Sequence, residues 1–168
     1  MPPPLIVTLD VDAATQEFFD RQRRRHFPPD RNVLGAHVTL FHALPGTRER
    51  RVRAVLRELT DRPEFALQVT GVRSLGRGAA YDLAAPEAGR LWDDIADRFR
   101  SELTRQDAQR LRPHVTVANK LSAEAARGVF TELANEFAPF EARATGLSLY
   151  RYLGGPWELV ESFRFRLR

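Results

Sequence analysis

A mixed helix-and-strand fold of two similar lobes is what this sequence predicts, and three observations carry the prediction. The order strand, helix, strand, glycine turn, strand occurs twice along the chain. Each copy opens on the same phrase, His37-Val38-Thr39-Leu40-Phe41 and then His114-Val115-Thr116-Val117-Ala118. Later landmarks keep step: Thr70-Gly71-Val72 follows His37 about as Thr145-Gly146-Leu147 follows His114, and Gly78-Ala79-Ala80-Tyr81-Asp82-Leu83 echoes Gly154-Gly155-Pro156-Trp157-Glu158-Leu159. Repetition of this kind predicts an internal duplication within one domain spanning residues 1–168. The two lobes are expected about a pseudo-twofold axis, with the His37 strand in one, the His114 strand in the other, and the two strands meeting at the junction.

The elements follow from local pattern. Leu5 to Val11 is an apolar, branched run behind prolines and reads as a strand. Asp12 caps a helix reaching about Phe27, with Phe18 and Phe19 on its buried side and a charged tail, Arg21 to His26, that reads as a solvated helix end or as an RNA-phosphate patch. Pro28 to Asn32 is a loop before the first His-x-Thr strand. Pro45-Gly46-Thr47 ends that strand and starts a helix to about Arg62, with Val52, Val55, Leu56 and Leu59 at helical spacing. Phe65 to Leu75 and Ala79 to Ala84 are strands joined at Gly76-Arg77-Gly78, and a helix from Pro86 steps through Leu91, Ile95, Phe99 and Leu103. The polar segment Arg105 to Arg112 leads to Pro113 and the second His-x-Thr strand. Ser122 caps a helix with Ala126, Val129, Phe130, Leu133 and Phe137 inside; Phe140 to Tyr152 and Trp157 to Leu167 close the chain as strands about Gly154-Gly155.

Composition narrows the class. With no cysteine there are no disulfides, thiol nucleophiles or Cys-ligated metals, and no apolar run approaches the ~20 residues of a membrane span. Without a signal-like N-terminus the chain is expected in the cytoplasm. The net charge of +4 suits a phosphate-bearing partner, but Arg and acidic residues are interleaved, so charge alone does not assign one.

Chemistry is concentrated in the repeated phrase. On a strand, side chains alternate faces, so His37 and Thr39 point one way and Val38 and Leu40 the other; His114 and Thr116 do the same. A lone His or Thr on a strand is usually structural. Two His-x-Thr pairs at the same place in a duplicated unit, 77 positions apart, point instead to a site. Brought face to face, they surround a phosphodiester with a neutral imidazole as base, a protonated one as acid, and two hydroxyl donors for non-bridging oxygens.

Both copies fit the pattern His, any residue, Thr or Ser, apolar residue, and in this the chain resembles the two-histidine (2H) phosphoesterases, which include bacterial 2′-5′ RNA ligases and cyclic phosphodiesterases. The likeness covers essentially the whole chain. It implies an α+β, bilobal fold of antiparallel sheets flanked by helices with the active cleft between the lobes. It further implies opening of 2′,3′-cyclic phosphates to 2′-phosphates, or 2′-5′ joining of RNA ends, with His37, Thr39, His114 and Thr116 catalytic and without ATP, metal or other cofactor. The expected partner is RNA or a cyclic-phosphate nucleotide, with no membrane, no protein partner and a monomeric state. Further substrate contacts are expected from Phe41, on the His37 face by parity, from Lys120, on the His114 face, and from Arg151 flanked by Tyr150 and Tyr152. His42 is placed on the opposite face as a structural residue, His26 in solvent, and Trp157 and Tyr81 in the core. Two rival readings are a non-catalytic RNA- or nucleotide-binding module on the same scaffold, and a metal site at His37 and His114, which lacks an obvious third ligand.

Overall fold

A computed structural model describes residues 1–167. Its elements, in chain order, are β1 (Leu5–Val11), α1 (Ala13–His26), β2 (Val38–Leu44), α2 (Glu49–Leu59), β3 (Phe65–Ser74), β4 (Ala79–Ala84), α3 (Pro86–Arg98), β5 (His114–Ala118), α4 (Ala123–Glu136), β6 (Phe140–Tyr152) and β7 (Trp157–Arg164). Local chemistry sets their ends. The Asp12 carboxylate accepts the Thr15 amide at 3.2 Å and opens α1, and the Ser122 hydroxyl accepts the Ala125 amide at 3.1 Å and opens α4. Gly76 turns between β3 and β4 at φ +80°, a conformation glycine adopts without steric cost. The last strand stops at Arg164, short of the expected Leu167, because Arg166 leaves β6 to bond with Arg62 and Glu64.

All strand pairs are antiparallel, in the order β2-β1-β6-β3-β4-β5, with β7 added to β6. The sheet curls, so that its outermost strands, β2 and β5, come into contact. Those are the two His-x-Thr strands. This is an α+β fold, but its two parts are not consecutive halves of the chain. β3 and β4 join β5, whereas β6 and β7 join β1 and β2, so each part of the sheet is woven from both halves. The crossing point is symmetric: β3 and β6 pair from Phe65↔Ala144 to Val69↔Phe140, centred on Leu67↔Ala142. In this arrangement β4 occupies, beside β5, the place that β1 occupies beside β2.

Helices cover the sheet and enclose the core. α2 packs on α3, α1 lies against β5, and α4 covers β3 and β4. Leu5, Phe19, Leu44, Leu56, Phe65, Leu91, Ile95 and Leu147 are all fully buried between them. Each such side chain contributes about 1.5–3 kcal/mol relative to exposure. Tyr81 is in this core, as expected, packed among Phe18, Phe19 and Phe137. Among the described residues no helix is long and apolar enough to cross a membrane.

Candidate active site

Each candidate histidine is held in the same way. The Nδ1 of His37 lies 2.9 Å from the carbonyl oxygen of Gly35, and the Nδ1 of His114 lies 2.8 Å from the carbonyl oxygen of Arg112, two residues back in both cases. A carbonyl only accepts, so each Nδ1 carries its proton and donates it. Each Nε2 is left for chemistry. Both rings are thereby fixed in tautomer and orientation by their own backbone.

The strands place the remaining groups. Val38 and Leu40, like Val115 and Val117, are buried, while Thr39 and Thr116 are half-buried on the histidine face. Thr39 pairs with Thr8 of β1, and Thr116 with Ala80 of β4. A cleft of about 290 Å³ is lined by Thr39, His42, Trp92, Arg110, Arg112 and His114. His37 opens on a neighbouring cavity of about 210 Å³, with Thr8, Asp10, Gln16, Tyr150 and Trp157. Burial lowers the pKa of His37, the hydrogen bond to Gly35 works the other way, and the charges of Arg23, His42 and His114 depress it further.

Arg23 comes from the charge run that ends α1, yet it is 4% exposed rather than solvated. Its Nη1 donates to the carbonyl of Thr116 at 2.8 Å, its Nε to Asn32 at 3.2 Å, and its guanidinium lies 4.1 Å over the ring of Phe27. One cation therefore ties α1 to the second His-x-Thr strand while acting on the first histidine.

Several expected contacts are placed elsewhere. Phe41 does not line the cleft: it is fully buried and stacks on Trp92 with ring centroids 5.6 Å apart. The cause is a register shift in β2, where Thr8 faces Thr39 but Val7 faces Phe41, so Leu40 is an extra residue and the faces swap beyond it. The Leu40 carbonyl accepts from Trp92 Nε1 at 3.1 Å. The same shift brings His42, expected on the far side, onto the cleft with Thr39 and His114. His42 is held by Asp107, whose Oδ1 accepts its amide at 2.7 Å and lies 3.3 Å from its Nδ1, while Oδ2 accepts the Ala43 amide at 2.8 Å. Burial opposes the Asp107 charge, but these hydrogen bonds outweigh it and hold the carboxyl below the usual aspartate range.

Arg151 is engaged by carboxylates, with Glu49 at 2.7 and 2.8 Å and Glu158 at 2.7 Å. Tyr152 is exposed and pairs with Trp157 across the β6–β7 hairpin. Lys120 stands past the end of β5, exposed and with φ 58°, and lines neither cavity. Trp157, expected in the core, packs instead against His37 with ring centroids 4.7 Å apart and against Tyr150 at 5.5 Å.

An aspartate stands on the strand beside each histidine strand. Asp82 pairs directly with His114 and is bridged by Arg73 Nε at 3.0 Å. Asp10 lies in the His37 cavity and accepts from the Ser148 hydroxyl at 2.9 Å; burial raises its pKa against that bond and the charge of Arg164. Among the described residues no three His, Asp or Glu side chains are grouped to hold a metal ion.

Comparison with known proteins agrees with this frame. The family model of the 2′-5′ RNA ligase superfamily matches residues 11–156. No curated protein matches the chain by sequence. Among solved structures, one described as a phosphoesterase superposes with TM-score 0.66 at 17% identity, and TT0787 of Thermus thermophilus with 0.69 at 15%; each comparison covers 98% of this chain and 99% of the other. E. coli LigT complexed with 3′-AMP superposes at 0.60 with 20% identity and the same coverage.

Proposed function

Because this chain belongs to the 2′-5′ RNA ligase superfamily, whose members are phosphoesterases, we propose that it opens 2′,3′-cyclic phosphates of RNA ends or nucleotides to 2′-phosphates, or joins RNA ends by a 2′-5′ linkage when a ribose 5′-hydroxyl takes the place of water. One observation supports the reading above all others. The two His-x-Thr strands touch, with Thr39 and His114 lining one cavity and His37 the neighbouring one, and both histidines donate Nδ1–H to a carbonyl two residues back, leaving both Nε2 atoms for a substrate.

In hydrolysis, Nε2 of a neutral histidine removes a proton from water as the water oxygen bonds to phosphorus. The bond from phosphorus to O3′ breaks in line, and Nε2 of the protonated histidine gives its proton to O3′. Thr39 and Thr116 donate to the non-bridging oxygens, at about 1.5–3 kcal/mol for each charge-assisted bond. We assign His37 as the base, since burial and Arg23 favour its neutral form, and His114 as the acid. Replacing water by a ribose hydroxyl turns the same geometry to ligation. That an E. coli relative of similar fold is seen with 3′-AMP is consistent with a nucleotide substrate.

The test is the product and pH profile with a 2′,3′-cyclic nucleotide. We expect the 2′-phosphate and a bell-shaped kcat/KM. Exclusive release of the 3′-phosphate, or a rate that climbs steadily to pH 10, contradicts the reading.

A further inference from the structure

Resting on that reading, we propose that the cleft continues, on the His114 side, into a phosphate-binding track, so that the preferred substrate is an RNA oligonucleotide with a cyclic-phosphate end rather than a free cyclic mononucleotide. A cavity of about 400 Å³ lies beside the cleft, bounded by Pro86, Gly89, Arg90, Asp93 and Pro113. Trp92, Arg110 and Leu111 line both, so the two form one trough from His114 to the first turns of α3.

Charge along the trough is uncompensated. Arg112 and Arg110 on the segment before β5, and Arg90 on α3, are exposed, and among the described residues none of them forms an ion pair. Elsewhere many arginines are paired, Arg53 and Arg57 with Glu161, Arg98 with Glu58, and Arg151 with Glu49 and Glu158. Those outside the trough that are unpaired among the described residues, such as Arg21, Arg77 and Arg127, line neither of its two cavities. Of the carboxylates in the trough, Asp107 has both oxygens occupied by β2, which leaves Asp93 against three guanidinium groups.

The track is also preformed. Asp107 bonds the loop that carries Arg110 and Arg112 to His42 and Ala43, and the carbonyl of Pro113 accepts the Leu83 amide. A mononucleotide brings only the reacting phosphate, held between the histidines, and has nothing to offer Arg90. A strand running out of the cleft presents further phosphates to Arg110 and Arg90, and arginine binds these through charge and paired N–H donors.

The experiment compares kcat/KM for a 2′,3′-cyclic mononucleotide and for a tetranucleotide ending in the same cyclic phosphate. It uses wild type, Arg90→Glu and, at a separate position, Gly89→Asp, at low and high salt. We expect wild type to prefer the tetranucleotide by about tenfold or more, the preference to fall with salt, and both variants to lose it through KM. Both variants keep the wild-type rate on the mononucleotide, which also shows that they are folded. Equal wild-type kcat/KM on the two substrates, or a tetranucleotide preference unchanged in both variants, overturns the track while leaving the phosphodiesterase reading intact. No wild-type turnover of either substrate overturns both.

Discussion

Which nitrogen of each histidine faces substrate is decided by two backbone carbonyls, those of Gly35 and Arg112. That much follows from a two-residue offset the sequence contains but does not display. The shared face of His37 with Thr39, and of His114 with Thr116, was legible because strands alternate. His42 was not, because the extra residue Leu40 reverses the alternation. The adjacent bulky pair Leu40-Phe41, both buried, was the signal available. Arg23 was hidden in a charge run whose neighbours are in solvent; only the fold shows that its position on α1 faces β5. Its charge lowers the pKa of His37, so Arg23→Gln raises that pKa and moves the acid limb of the kcat/KM profile to higher pH. With burial lowering the His37 pKa, that limb in wild type is expected below the ordinary histidine value of about 6.5. A limb that stays in place in the variant disproves the coupling.

At the scale of elements, β2 is an edge strand whose outer side is closed by side chains rather than by another strand. Asp107 takes the amides of His42 and Ala43, and Trp92 donates to the carbonyl of Leu40. Asp107→Ala leaves two edge amides unsatisfied and frees the Arg-bearing loop, at a cost of about 1–3 kcal/mol in urea unfolding. Because the folded pKa of Asp107 is depressed, its stabilisation is fully present above the unfolded value of about 3.9 and is lost as pH falls through the folded one. The stability difference between wild type and variant therefore narrows at strongly acidic pH, and a constant difference counts against this role. Sequence pattern located the polar segment 105–112 but said nothing of its partner, since one aspartate among many charged residues carries no period.

For the whole molecule, the boundaries of β1, β4 and β6 could be read from alternation and turn residues, as could the approach of two similar strands. The exchange of β3 and β6 could not, since a repeat reveals similar elements but not which copy each pairs with. The same limit misplaced Trp157: matched to Tyr81 by the glycine turns, it lies on a strand that adds to β6, whereas β4 sits inside the sheet. Gly78 lies so close to the backbone carbonyl of Ala118, at the end of the His114 strand, that a Cβ there would collide with it. Gly78→Ala displaces β5 and is expected to cost about 1–3 kcal/mol of stability together with activity; an unchanged Tm argues against that constraint. The central claim, that two histidines from opposite edges of one sheet act on one phosphate, is tested most directly by kcat/KM on a 2′,3′-cyclic nucleotide for wild type, His37→Ala and His114→Ala, each checked for fold by circular dichroism. The account predicts that each substitution alone lowers the rate by about 10²-fold or more. A folded variant of either histidine that keeps the wild-type rate contradicts it.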